Sequence, residues 1–166
     1  MGMVWVARLA DADAIARIMA EPNAAYNFIN PQEGWEEAAA DTIDLDKEWH
    51  AAHHLLTGSA GATDSPLSLI IGDFHEIGDD NGYGPAWFIP PDRLQAFSLA
   101  LTAIDDDELR RRYDPNSMVS EHVYIGDMYQ EEGEEGFVFL RERITQLGKF
   151  ADRAANAGLG AFAVIT

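Results

Sequence analysis

The chain has 166 residues, of which 47% are hydrophobic, 10% aromatic and 24% charged, the size and balance of one ordinary globular domain. Its 29 acidic side chains stand against 11 Lys and Arg, a formal charge of -18, whose field repels nucleic-acid backbones and anionic membranes and favours neutral or cationic partners. Cysteine is absent, which excludes disulfide scaffolds, thiol nucleophiles and thiolate metal sites.

No basic leader precedes Val4-Trp5-Val6, and Arg8, Asp11 and Asp13 interrupt the apolar run, so a cytoplasmic protein is expected. Val4 to Val6 predict a first strand, and Asp11 or Asp13 caps a helix with Ile15, Ile18 and Met19 on one side. Residues 21–31, rich in Asn and Pro, read as a loop. A helix follows from Asp44 or Asp46, with Leu45, Trp49, Ala52 and Leu56 at helical spacing and Gly58 as its stop. After a small-residue loop, Pro66 opens a short helix through Leu67, Leu69, Ile70 and Ile71.

The acidic stretch Asp73 to Gly84 reads as an irregular loop entering a strand at residues 86–89. Pro90-Pro91-Asp92 opens a helix with Leu94, Phe97, Leu101 and Ile104 on one face. From Asp105 to Tyr113 a second helix sets Asp106, Asp107 and Glu108 four residues before Arg110, Arg111 and Arg112, which neutralises the one basic run within its own helix. Phe137, Leu140, Ile144, Leu147, Ala151 and Ala154 predict a long amphipathic helix, ended by Gly158 and Gly160. The apolar run Ala161 to Ile165 demands burial on both faces and is expected in the middle of the sheet. The architecture expected for residues 1–166 is one α+β domain, a small mixed sheet covered by several helices.

His50 and His54, four apart on one helix, have metal-ligand spacing, but Ala51 stands where a metalloprotease has its glutamate. The two are read as a solvated polar stripe, and no cofactor is expected. His53 falls at the edge of the apolar face, either a core-edge histidine bonded to a carbonyl or to Asp46, or a working acid–base group in a cleft. The acidic runs Asp79-Asp80 and Glu131 to Glu135 lack calcium-loop spacing, and the second precedes a helix, whose positive end favours acids. No phosphate-binding glycine pattern and no Gly-x-Ser-x-Gly elbow occurs. Tyr83, Trp87 and Phe88 beside a glycine-flexed turn read either as core or as the lining of a pocket.

Several segments in order resemble the YfbM-like family of bacterial proteins, a domain of unknown function. They are Met1-Gly2-Met3, Asp44-Leu45-Asp46-Lys47 leading to Trp49, His53, Leu56, Thr57 and Gly58, Pro66-Leu67-Ser68, Gly82-Tyr83-Gly84-Pro85-Ala86 and Val123-Tyr124. The resemblance implies a small α+β protein with no known cofactor and no activity to carry over. It directs attention to Asp46, Trp49, His53, Thr57, Tyr83, Gly84 and Tyr124, and away from His50 and His54. Trp87 stands where the family commonly has arginine, and Ile125 where it has proline.

Two functions remain in view. The first is a non-catalytic binding or protein-interaction domain, for example an immunity-type protein that binds a basic toxin. The alternative is a small enzyme or ligand-binding protein with a cleft between the Trp49/His53 helix and the Gly82–Pro85 turn, using His53 and Asp46 as its acid–base pair. Asp46, Trp49, His53, Thr57, Tyr83, Trp87 and Tyr124 are its candidate residues.

Overall fold

Strands β1 (Trp5–Ala10), β2 (Thr42–Asp44), β3 (His75–Ile77), β4 (Ala86–Ile89) and β5 (Gly160–Ile165) form one sheet in the order β2-β1-β5-β4-β3. The computed structural model describes residues 2–166; Met1, the first residue of the Met1-Gly2-Met3 start, lies outside them. The sheet was expected to be mixed, and its four strand pairings are all antiparallel. The apolar terminal run occupies the central position, as its composition requires: a strand that offers apolar side chains to both faces is stable only where both are covered.

Alternation along the strands splits the core in two. Val6, Ala10, Ile77, Ala86, Phe162 and Val164 point to one face, covered by α1 (Ala12–Ala20) and α2 (Ala25–Ile29) through Ala14, Ile18, Ala25 and Ile29. Ala7, Leu9, Ile89, Ala161 and Ala163 point to the other, beneath α4 (Trp49–Thr57), α5 (Pro91–Thr102) and α9 (Glu134–Ala157). On α9 the six residues that defined its apolar stripe are all buried, and α5 lies along it. The protein is therefore a single α+β domain with a small sheet between helical layers.

Local chemistry explains the helix starts. Asp11 accepts from the Ala14 N–H at 2.8 Å to cap α1, and Asp105 accepts from Glu108 N–H to cap α6 (Asp106–Arg112). On α1, Ile18 is buried while Met19, expected beside it, is exposed. Around α6 the ion pairs are less local than their spacing predicts. Glu108 holds both Arg111 and Arg112, whereas Arg110 reaches Glu134 at the start of α9 and Asp106 pairs with Arg141. The α6 basic run thus fastens two helices together.

Several connections differ from expectation. Residues 21–31 contain a 3-10 turn and α2, because Ala25 and Ile29 bury against the sheet and the Tyr26 hydroxyl meets Thr166 Oγ1 at 3.0 Å. The short helices α3 (Trp35–Ala39), α7 (Pro115–Ser120) and α8 (Gly126–Glu132), and strands β2 and β3, lie in segments without a long periodic signal. The helix expected from Asp44 or Asp46 begins as a 3-10 turn over Asp46–Glu48 and becomes α-helical only at Trp49.

Pro66 to Ile71 is not helical. Ser68 Oγ donates to the Ile71 carbonyl at 2.6 Å and accepts from the Thr63 N–H at 3.0 Å, holding an irregular turn that buries Leu67, Leu69 and Ile70. Replacing Ser68 with alanine leaves a backbone donor and acceptor unpaired in a buried turn. The expected loss is about 1–3 kcal/mol in urea unfolding.

Candidate functional site

On the α4–α9 side of the sheet, strand register builds one row across all five strands: Ile43, Ala7, Ala163, Trp87 and Glu76. The row runs from buried core at Ile43 to open solvent at Glu76. At its β4–β3 end the helical layer stops short and leaves a pocket of about 290 Å³. Its walls are Trp49 from α4, Ile70 and Ile71 from the irregular turn, Gly72 and Phe74 from the stretch between that turn and β3, and Trp87, Ile165 and Glu76 from the sheet.

Each wall is fixed. The Trp49 indole N–H donates to the Met3 carbonyl at 3.1 Å, and its ring stacks on His50, with centroids 4.8 Å apart and planes 6° apart, and on Tyr124 at 6.4 Å. Gly72 permits the close approach of Phe74: a Cβ there would stand 2.4 Å from the Phe74 ring and 2.8 Å from the Ser68 carbonyl oxygen. The Arg93 guanidinium lies over the same ring, 4.9 Å from its centre. Trp87 is half-buried, and its indole nitrogen is shielded from solvent without an acceptor.

The histidines serve the fold. His50 is held by backbone at both ring nitrogens, Nε2 donating to the Ala60 carbonyl at 2.8 Å and Nδ1 accepting from the Tyr124 N–H at 2.9 Å. Burial pushes its pKa down, and neither nitrogen has a lone pair free for a metal. His54 is not part of a solvated stripe: only 2% of it is exposed, because α7 covers that side of α4. Among the described residues no group of three or more His, Asp or Glu side chains is placed to hold a metal ion.

His54 Nε2 lies 3.2 Å from Ser117 Oγ and 3.6 Å from Glu121 Oε1, and Ser117 Oγ lies 3.2 Å from the same carboxylate oxygen. This Ser–His–Glu group, which the sequence did not single out, lacks the geometry of a nucleophile with its base. The carboxylate sits on the serine side of the ring, and Nδ1, where an orienting acid belongs, is buried without a partner. The other Glu121 oxygen accepts from the Ala60 N–H, so the group ties the 59–61 turn to α7.

His53 is fully buried and donates from Nε2 to the Gly61 carbonyl at 2.8 Å. It takes the carbonyl-bonded arrangement, while Asp46 is exposed at the head of the 3-10 turn with a left-handed backbone, φ 48°. The two do not form an acid–base pair. Thr57 Oγ1 donates to the His53 carbonyl at 2.9 Å and accepts from the Ser59 N–H at 3.2 Å, closing the end of α4. Tyr124 holds the Met3 N–H through its hydroxyl at 3.3 Å.

Tyr83 does not line the pocket, and 47% of it is exposed. Its turn is organised by Asp80, whose carboxylate accepts the N–H groups of Gly82 and Gly84 at 2.7 and 3.0 Å and is held below the usual carboxylate range by them. Of the candidate residues the structure therefore joins Trp49 to Trp87 at the pocket, supports Trp49 with Tyr124, and leaves Asp46, His53, Thr57 and Tyr83 outside it. Sequence reasoning missed the other six wall residues as a site; the signal available was at Phe74, a lone aromatic within an acidic segment.

A second buried polar group lies beneath α4. Glu48 Oε2 is 3.3 Å from Arg143 Nη2, and burial raises the Glu48 pKa against the pull of that guanidinium. Tyr129, fully buried nearby, has its hydroxyl pushed up by burial first and by the Glu48 charge second. The Arg143 side chain is 21% exposed and that of Glu48 11%, so the pair sits at the edge of the interior and ties α9 to the turn before α4.

Among the described residues no helix is long and apolar enough to cross a membrane. No curated protein matches the chain. A solved structure, the YfbM protein of unknown function from Escherichia coli, shares the fold with a TM-score of 0.75 at 22% identity, covering 99% of each chain. The family model described as "Domain of unknown function (DUF1877)" matches residues 1–164, and the chain belongs to that family.

Proposed function

We propose that the protein is a cytosolic, non-catalytic binding domain that recognises a protein partner through the pocket between Trp49 and Trp87. The observation that carries this reading is the pocket itself: about 290 Å³, walled by aromatic and branched side chains on rigid supports, with Glu76 as its one charged wall residue. A concave apolar site with one placed polar group is a binding geometry. Its size suits one side chain of a partner. The nearby groups able to move protons, His50 and His53, are bonded to backbone carbonyls instead. A protective partner of a basic toxin is one form this function takes, favoured by the charge of -18.

The test is an NMR titration of the full chain with N-acetyl-norleucine-N-methylamide, a single apolar side chain on a peptide unit. Millimolar probe should shift the indole N–H resonances of Trp49 and Trp87 and leave that of Trp35, exposed on α3, in place. Ile165→Phe, which fills the pocket from the sheet, should abolish the shifts while the unfolding temperature stays close to that of the parent. Indole resonances that ignore the probe overturn the reading.

A further inference from the structure

We infer that the side chain this pocket accepts is a lysine of a basic protein partner, its four-carbon stem laid between Trp49, Trp87 and Phe74 and its ammonium at Glu76. This rests on the binding reading above and adds the chemistry of the occupant.

The strand register sets the polarity of the site. Glu76 pairs directly with Trp87 across β3 and β4, so its carboxylate stands at the solvent end of the aromatic wall, where the apolar lining stops. Glu76 is exposed, so an entering cation meets it without giving up all of its water. An occupant that satisfies both parts is apolar along its length and positive at its tip, the division of a lysine side chain that buries its methylenes and keeps its head wet.

The charge carried by the lining itself is the Glu76 carboxylate; of the neighbouring acids, Asp79 is bonded to Asn23 and Asp80 to the Gly82–Gly84 turn. None of the wall residues is basic, and the whole chain at -18 attracts a cationic surface from a distance. The Arg93 guanidinium lies over Phe74 and outside the pocket lining, so the ammonium belongs at Glu76 and the methylenes against the rings. Lysine is assigned over arginine on the length of its stem: it carries four methylenes before its charge against three for arginine, so more of it lies against the apolar wall before the ammonium reaches Glu76 and water.

The experiment compares three N-acetyl-N-methylamides, of lysine, norleucine and arginine, by NMR titration of the full chain at pH 7 and low salt. Norleucine has the lysine stem without its charge. Lysine should bind about fivefold more tightly than norleucine, and 0.5 M salt should remove most of the difference. Glu76→Gln, at an exposed strand position, should remove the preference for lysine over norleucine. Equal binding of lysine and norleucine to the parent chain overturns the lysine assignment while the apolar binding reading stands. Tighter binding of arginine overturns it in favour of a guanidinium. If no probe moves the Trp49 and Trp87 indoles, both readings fall together.

Discussion

Replacing Trp49 with alanine should destabilise the protein by about 3–5 kcal/mol, the range for removing a large buried aromatic. The loss has identifiable parts. The indole fills the space between α4 and the sheet edge, donates to the Met3 carbonyl, and stacks on both His50 and Tyr124. One side of the ring borders the pocket, so water enters the space left behind, and the cost falls toward the lower end of that range. For a chain of this length each kcal/mol lowers the unfolding temperature by about 2–4 °C. Trp49→Phe retains a ring and gives up the Met3 hydrogen bond, so about 1–2 kcal/mol is expected. The control is Trp35→Ala: that ring is 48% exposed, and its removal should change stability by about 0.5 kcal/mol or less. Urea unfolding with an unchanged slope measures all three. A Trp49→Ala loss no larger than the control would mean that the pocket wall has no part in the core.

The elements that were legible share a cause: their signal lies within one segment. The stripe on α9 repeats over 24 residues, Asp105 caps α6 three residues away, and the run Ala161 to Ile165 carries its own demand for two covered faces. The illegible ones depend on distant partners. Strand β2 is three residues long and exists because Ile43 pairs with Ala7. The turn at Pro66 to Ile71 has a good helix start, yet Ser68 and buried leucines hold it irregular. On α4 a one-sided wheel placed His50 and His54 in solvent. In the structure Ala51, Ala52, His53, His54, Leu55 and Leu56 are all buried, because α7 and the 59–61 turn close over the side the wheel left open.

The candidate site divides in the same way. Trp49 and Trp87 were visible as aromatics at suggestive positions. Their meeting in one pocket depends on β4 pairing with β5 and on α4 crossing that end of the sheet, neither of which is written in either segment. Tyr83 was drawn in by its flanking glycines, Gly82 at φ 109° and Gly84 at φ 104°, whose conformation serves the Asp80-centred turn. Tyr124 was flagged by resemblance alone. Its place is explained by His50 Nδ1, which accepts its backbone N–H 74 residues away, and by the left-handed Ile125 next in the chain, a costly conformation for a branched residue held by its surroundings.

Acidification from pH 7.5 to pH 5 should destabilise the protein, with His53 as a principal cause. Its side chain has no exposure, and burial pushes its pKa down to about 4 from an ordinary 6.5. The hydrogen bond to the Gly61 carbonyl uses Nε2–H, and a proton added to Nδ1 would find no acceptor among the described residues. Because the depressed value belongs to the folded state, the unfolded chain binds the extra proton first. Stability from this group is complete above pH 6.5 and is lost as pH falls from 6.5 toward 4. The shift implies a loss on the order of 2 kcal/mol at pH 5, growing to on the order of 3 kcal/mol below pH 4. His50, also lowered by burial, pulls the same way. Glu48 opposes them, since its pKa is raised and protonation relieves its burial. The difference between parent and His53→Gln isolates the term: the glutamine amide can reach the Gly61 carbonyl, and it does not titrate. Urea unfolding of both chains at pH 7.5 and 5 should give a pH-dependent loss smaller in the variant by about 2 kcal/mol. Parallel losses in the two chains would show that His53 is protonated as readily inside the protein as outside it.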